Sequence, residues 1–589
     1  MRQFFKFMLA SMVGFILTGV IFFFIAMAII ASVVSLASKE EVKIKENTVL
    51  HLKFDEAIPE RSPAGAFAFS QTSFFSSTTT PGLLETMDLI KKAAEDDNIR
   101  GIFLDLSDIP AGMATLEEVR DALMDFKKSE KFIVAYGETY SQKAYYLATV
   151  ADEICINPEG SIDFKGLTGG VVFIKGLLEK LDVNAQIIRH GKYKSAIEPL
   201  IGNKMSEANK EQTLSFVNAI WQHISVGISQ TRNIDPARLQ VCADSLLTQT
   251  ANDAVKHKFA DKITYKDQLL DLLKEKLGKK PTDKIELVSL ERYKEVPVSK
   301  EKKRAKDKIA IIYAVGEIGG GEGTEESIGS DKLSRAIRKA RLDSTVKAIV
   351  LRINSPGGSA LASDVILREI KLAREKKPVI ASMGDYAASG GYYIACAADT
   401  IIANPTTLTG SIGVFGVIPD FSKFFSNKLG ITFDMVQTNP NSDFPSVVRA
   451  MTPYEEKVIT SSVEHIYQTF INHVSDGRGI TSANVDSIGQ GRIWSGVDGK
   501  RLNLLDETGG LRKSIEIAAA MAKLDDYRII SLPEQKDPFT QIMEDLTGKP
   551  SETMIQKELG TLYPYLKELK SFSEMKGVQA RLPFILSIY

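Results

Sequence analysis

The run Met383-Gly384-Asp385-Tyr386-Ala387-Ala388-Ser389-Gly390-Gly391-Tyr392-Tyr393 offers one hydroxyl, that of Ser389, on a turn of small residues between two apolar stretches. Lys377-Pro378-Val379-Ile380-Ala381-Ser382 reads as a buried strand, and the residues after Ser389 read as the start of a helix. A serine exposed at such a junction can attack a carbonyl. Gly390 and Gly391 let that carbonyl approach the backbone, and the first N–H groups of a helix lack partners within it, so they can meet an oxyanion. The same run also reads as a plain glycine-rich crossover with a solvated serine, since such turns are common in α/β folds.

A second loop, Asn354-Ser355-Pro356-Gly357-Gly358-Ser359, follows an apolar strand directly. Proline fixes φ and the glycines allow backbone shapes barred to other residues, so the loop can aim an N–H into a site or simply form a type II turn. A serine nucleophile also needs a base. The six histidines are scattered, and the one nearest Ser389 in the chain is His465. Lysine can serve instead where burial or positive surroundings lower its pKa from about 10.4. Spacing alone does not select which lysine, and Lys143, the repeat partner of Gly390, reads as a surface residue. The three cysteines, Cys155, Cys242 and Cys396, give no disulfide framework, and no His or Cys grouping has metal-ligand spacing.

These candidates must be positioned by an α/β frame, and the chain contains that frame twice. Ala144-Tyr145-Tyr146-Leu147-Ala148-Thr149-Val150-Ala151-Asp152 aligns with Gly391-Tyr392-Tyr393-Ile394-Ala395-Cys396-Ala397-Ala398-Asp399 at an offset of 247, and Gly101–Leu106 meets Ala348–Ile353 at the same offset. Asp253 through Asp261 matches Asp498 through Asp506 at an offset of 245. Register kept through strand, helix and loop indicates a duplicated domain of alternating strands and helices with a parallel sheet. The halves differ where chemistry is at stake: Gln142-Lys143-Ala144 stands where the second half has Ser389-Gly390-Gly391.

Length and composition agree. A chain of 589 residues exceeds one core, and 44% hydrophobic with 25% charged residues is ordinary for globular proteins. A formal net charge of -1 argues against bulk attraction to nucleic acid. Phe7 to Ser38 holds no charged residue, enough for a membrane span, which needs about 20 apolar residues. That length favours a retained anchor over a cleaved signal, although Ser35-Leu36-Ala37-Ser38 has the small residues of a weak cleavage site. Charge around the span leans toward an inside amino terminus. The expected division is a tail over residues 1–6, an anchor over 7–38, a first repeat over 39–298, a charged linker over 299–308, and a second repeat over 309–589. The last stretch, from Asp537, carries short amphipathic segments such as Met554–Leu559 and Tyr565–Leu569 and reads as packing or assembly surface.

The chain resembles the signal peptide peptidase A family in its long, duplicated, membrane-anchored form. The motifs that carry this are Gly191-Lys192-Tyr193-Lys194-Ser195-Ala196-Ile197-Glu198-Pro199, Ile353 to Ser359, Met383 to Tyr393, and Thr409-Gly410-Ser411-Ile412-Gly413-Val414-Phe415-Gly416. The resemblance implies an α/β fold of tandem crotonase-like, Clp-protease-like domains behind a transmembrane helix, acting as a serine–lysine endopeptidase. It implies Ser389 as nucleophile, Lys194 as general base and acid, Ser411 as the hydroxyl orienting the lysine, and oxyanion donors at Gly390 and at Gly357 or Gly358. It calls for no cofactor and no metal.

Substrates would be cleaved signal peptides and other apolar peptides, met at the outer, periplasmic face of a bacterial cytoplasmic membrane. The expected partners are the bilayer, through residues 7–38, and further copies of the chain, as a tetramer. Where family members often read glycine-leucine-valine-aspartate, this chain has Leu502-Asn503-Leu504-Leu505-Asp506, which bears on packing. Two other classes share parts of the pattern. Acyl-thioester enzymes use the fold but bind a nucleotide-bearing carrier, and a silent anchored scaffold would have no reactive serine.

Overall fold

Strands such as Lys308–Val315 and Val346–Ser355 are rich in Val, Ile and Ala with most residues buried, the pattern of parallel strands covered on both faces. The helices between them are amphipathic: Ser330–Leu342 turns Leu333, Ala336, Ile337 and Ala340 inward, at helical spacing. The computed structural model describes residues 2–37, 44–63, 68–70, 73–76, 80–297, 305–535, 578–582 and 587–588.

The two halves build the same parallel sheet. In the first, the strand order is Glu286–Ser289, Thr48–Leu52, Ile99–Asp105, Phe132–Gly137, Glu153–Ile156, Lys262–Ile263. In the second, Arg528–Leu532, Lys308–Val315, Val346–Ser355, Val379–Ala388, Thr400–Ala403 and Glu507–Thr508 follow in the same order. The second half adds Leu408–Gly410 and Ile493–Ser495 beside the far end of Val379–Ala388. That addition explains one departure from the sequence reading. The strand does not stop at Ser382 but runs to Ala388, because Tyr386, Ala387 and Ala388 find new partners in Leu408, Thr409 and Gly410.

A further sheet joins the halves. The first-half strand Asn184–Arg189 runs antiparallel to Phe415–Asp420 of the second, with Arg189 opposite Phe415. Two polar contacts reinforce it. Asp385 caps the first-half helix Met113–Lys127, accepting from the N–H groups of Ala114 (2.9 Å) and Thr115 (3.1 Å). Arg352, fully buried, meets the first-half carboxylates of Glu60 at 2.7 Å and Glu118 at 2.8 Å.

The amino-terminal helix spans Arg2–Ala37, and its window Lys6–Ile25 is long and apolar enough to cross a membrane, with mean hydropathy 2.4. Of the charge run 299–308, residues 299–304 lie outside the described residues, and Lys308 opens the strand Lys308–Val315. Met554–Leu559 and Tyr565–Leu569 also lie outside them.

Candidate active site

Ser389 joins the strand Val379–Ala388 to the helix Gly390–Ala395. Its backbone is held at φ 55°, a strained conformation for a residue with a side chain, by Ser389 N–H donating to Gly410 O and Tyr393 N–H donating to Ser389 O, both at 2.8 Å. The sequence reading placed this hydroxyl in the open. In the structure Ser389 is buried, because Lys194 reaches it from the first half and the strand Val578–Arg581 lies in the cleft alongside.

Lys194 follows the strand that joins the halves. His190 N–H donates to Val414 O (3.1 Å) and Tyr193 N–H to Gln490 O (2.8 Å), so the segment leading to the lysine is fastened to the second half along its backbone. Lys194 Nζ then lies 2.8 Å from Ser389 Oγ and 3.1 Å from Ser411 Oγ. The side chain is 1% exposed, and burial alone pushes its pKa well below the usual lysine range. A neutral amine at hydrogen-bond distance from a serine hydroxyl can take that proton as the oxygen attacks.

Two glycines make room for this lysine. A β-carbon on Gly491, which has φ +79°, would come within 2.6 Å of Lys194 Cβ, and one on Gly413 within 3.3 Å of Lys194 Cδ. Ser411, also at positive φ, is fixed by its N–H donating to Arg492 O at 2.7 Å.

The glycine loop after Val346–Ser355 completes the cleft. Gly357 and Gly358 have φ of +100° and +155°, and Gly357 packs so closely that a β-carbon there would lie 2.7 Å from Gly390 N. The N–H of Gly357 is engaged with Ser355 Oγ at 3.1 Å. Of the two alternatives read from the sequence, Gly358 is the one that lies opposite Ala580 of the strand in the cleft.

One residue escaped the sequence reading. Gln212, fully buried on the helix Glu207–Arg232, donates from Nε2 to Tyr193 O (3.0 Å) and Ser195 Oγ (2.9 Å), and its Oε1 accepts from Ile493 N–H (3.1 Å). It ties both neighbours of Lys194 to the second half. Its signal in the sequence was a polar residue one helical turn before Phe216, on the apolar stripe that continues through Ile220 and Ile224. In the first half the equivalent of Ser389, Gln142, donates to Gly166 O (3.1 Å), and Lys143 donates to Ala111 O (2.9 Å). Both act there as loop ties.

Both halves of the chain resemble known proteases. The model of peptidase family S49 matches residues 125–280 and 371–525, once in each half, and that of the ClpP-like SDH-type serine proteinases matches residues 301–423. The chain is 37% identical over 476 residues to Protease 4 of Salmonella typhi, covering 79% of this chain and 76% of the relative. It is 34% identical over 527 residues to Protease 4 of Haemophilus influenzae, covering 84% and 85%. It is 34% identical over 525 residues to the chloroplastic serine protease SPPA of Arabidopsis thaliana, covering 88% and 76%. The fold is therefore two Clp-protease-like domains in tandem.

Proposed function

The chain belongs to peptidase family S49, a serine protease family, and from that premise we propose that it is a membrane-anchored endopeptidase whose nucleophile is Ser389 and whose general base is Lys194. The observation that carries this reading is the 2.8 Å approach of a fully buried lysine amine to the serine hydroxyl. Neutral Lys194 accepts the proton of Ser389 as Oγ adds to a peptide carbonyl, and returns it to the leaving amine. A water then attacks the acyl-enzyme, the same amine takes its proton, and that proton passes to Ser389 Oγ as the ester bond breaks. The oxyanion of each tetrahedral intermediate is met by the N–H groups of Gly390 and Gly358. Ser411 Oγ, 3.1 Å from Nζ, keeps the amine aimed at Ser389.

The substrates we propose are cleaved signal peptides and other apolar peptides. An apolar helix over Lys6–Ile25 would tether the cleft beside a bilayer, at its outer face, where such remnants reside. Assembly as a tetramer would enclose the cleft from folded proteins. A fluorophosphonate probe tests the core of the proposal. Wild-type protein is expected to label at Ser389; failure to label, or equal labelling of Ser389→Ala, overturns it.

A further inference from the structure

Two short strands from the carboxy-terminal end of the chain lie on edges that the internal repeat makes equivalent. The first, Val578–Arg581, fills the cleft as a peptide would. It is antiparallel to Gly357–Ser359 on one side, with Ala580 opposite Gly358, and antiparallel to Phe415–Asp420 on the other, with Val578 opposite Gly416. Ala580 is fully buried, and its carbonyl oxygen would be met at 2.2 Å by a β-carbon on Gly357 and at 3.1 Å by one on Gly390. That carbonyl lies beside Gly357 and Gly390, so on the protease reading it takes the place of a substrate's scissile carbonyl.

The second strand, Ser587–Ile588, is antiparallel to Gly169–Gly170 in the first half, with Ile588 opposite Gly169 and Ser587 opposite Gly170. The offset of 247 that relates the halves carries Gly169 onto Gly416. The first half has lost the serine and the glycine pair of the second, yet the counterpart of its cleft wall still pairs with extended main chain. A β-carbon on Gly169 would meet Thr213 Cγ2 at 2.5 Å, whereas one on Gly170 would meet nothing within 4 Å. Pairing of this kind reads backbone N–H and C=O groups, so it accepts varied side chains.

We propose that the Gly169–Gly170 edge is a second, non-catalytic docking site for extended peptides. It would engage a substrate eight residues to the carboxyl side of the bond cut at Ser389, the separation of Ala580 from Ile588. This rests on the protease reading for the position of the cut bond. The consequence is a preference for peptides long enough to span both edges.

The test uses the full chain carrying Ser389→Ala, whose own carboxy-terminal strands compete with each added peptide, and compares by their dissociation constants two fluorescent peptides with the sequences of residues 577–589 and 577–583. The longer peptide should bind about tenfold tighter, the gain from two or so main-chain hydrogen bonds. Gly170→Pro, which disrupts extended pairing along this edge, should bring the ratio of the two dissociation constants close to one, while Gly170→Val, which leaves the backbone N–H in place, should preserve the ratio. Equal affinity for both peptides, or a ratio that survives Gly170→Pro, overturns the proposal. Should the proline variant fold poorly, a photo-crosslinker at the position of Ile588 decides the matter: crosslinks must map to residues around Gly169, and crosslinks elsewhere refute it. Binding needs no turnover, so failure of the wild type to cleave would count against the protease reading alone.

Discussion

Gly491 stands so close to Lys194 that a β-carbon would come within 2.6 Å of the lysine's own Cβ and 2.7 Å of its backbone nitrogen. Gly491→Ala should therefore push the lysine away from Ser389, and φ of +79° adds backbone strain. Displacing a reacting group by about 1 Å costs on the order of 100-fold in rate. We expect kcat/KM to fall by about that factor and fluorophosphonate labelling to slow in parallel, with circular dichroism unchanged. Near-normal labelling would show that the lysine does not need this glycine.

Gln212 should matter for rate more than for binding. Gln212→Met keeps length and bulk but leaves Tyr193 O and Ile493 N–H without the partner they have, each at a cost of about 1–3 kcal/mol in a buried setting. The expected result is a roughly ten- to hundredfold lower kcat with KM little changed. Restoration by Gln212→Asn, which keeps the amide on a shorter stem, should be partial. A rise in KM with kcat intact would place Gln212 in substrate binding instead.

The contrast between Ser389 and Gln212 shows what was legible before the structure. The repeat, the alternating strands and helices, and the small-residue turn at Ser389 are local patterns, and local patterns survive in one dimension. Lys194 was reached through resemblance, because 195 residues separate it from Ser389 and nothing around it announces a buried amine. Gln212 was missed because it stands among polar residues, Lys210-Glu211-Gln212-Thr213, and its bond to the second half reaches Ile493, 281 residues away; Arg352, a single polar residue in an apolar strand, gave no sign of the first-half carboxylates it meets. The burial of Ser389 was misread for the same reason, since what covers it comes from Lys194 and from the far carboxy-terminal end.

The pH profile follows from the burial of Lys194. Desolvation lowers its pKa, so the amine is neutral and active above that value, and activity is lost as pH falls through it. Lys194→Arg, whose guanidinium stays charged, should be inactive at every accessible pH. Stability carries the matching sign. Below the ordinary lysine pKa the unfolded chain binds a proton that the folded chain excludes, so folding at this site is favoured as pH rises. Lys194→Met should accordingly gain about 1–2 kcal/mol at neutral pH while losing activity, and its melting temperature should depend less on pH. An unchanged acid limb in a kcat/KM profile of a variant with altered Lys194 surroundings would count against the lysine as base.

Arg352 tests the joint between the halves. It sits fully buried on the strand Val346–Ser355 and meets Glu60 and Glu118 of the first half at 2.7 and 2.8 Å. Arg352→Met removes the cation and leaves two buried carboxylates facing each other, a change worth about 3–5 kcal/mol of destabilisation. Burial already raises the Glu118 pKa while Arg352 opposes that rise, so removing the arginine raises it further. The folded variant then holds protons that the unfolded chain releases, and its stability falls as pH rises. The deficit should be small near pH 5 and large near pH 8, as read from thermal melting across that range. Adding Glu118→Gln should recover part of the loss at pH 8, because a neutral amide can still accept from Leu511 N–H, which bonds Glu118 in the wild type. A deficit independent of pH would mean that Arg352 serves packing and not charge balance between the two halves.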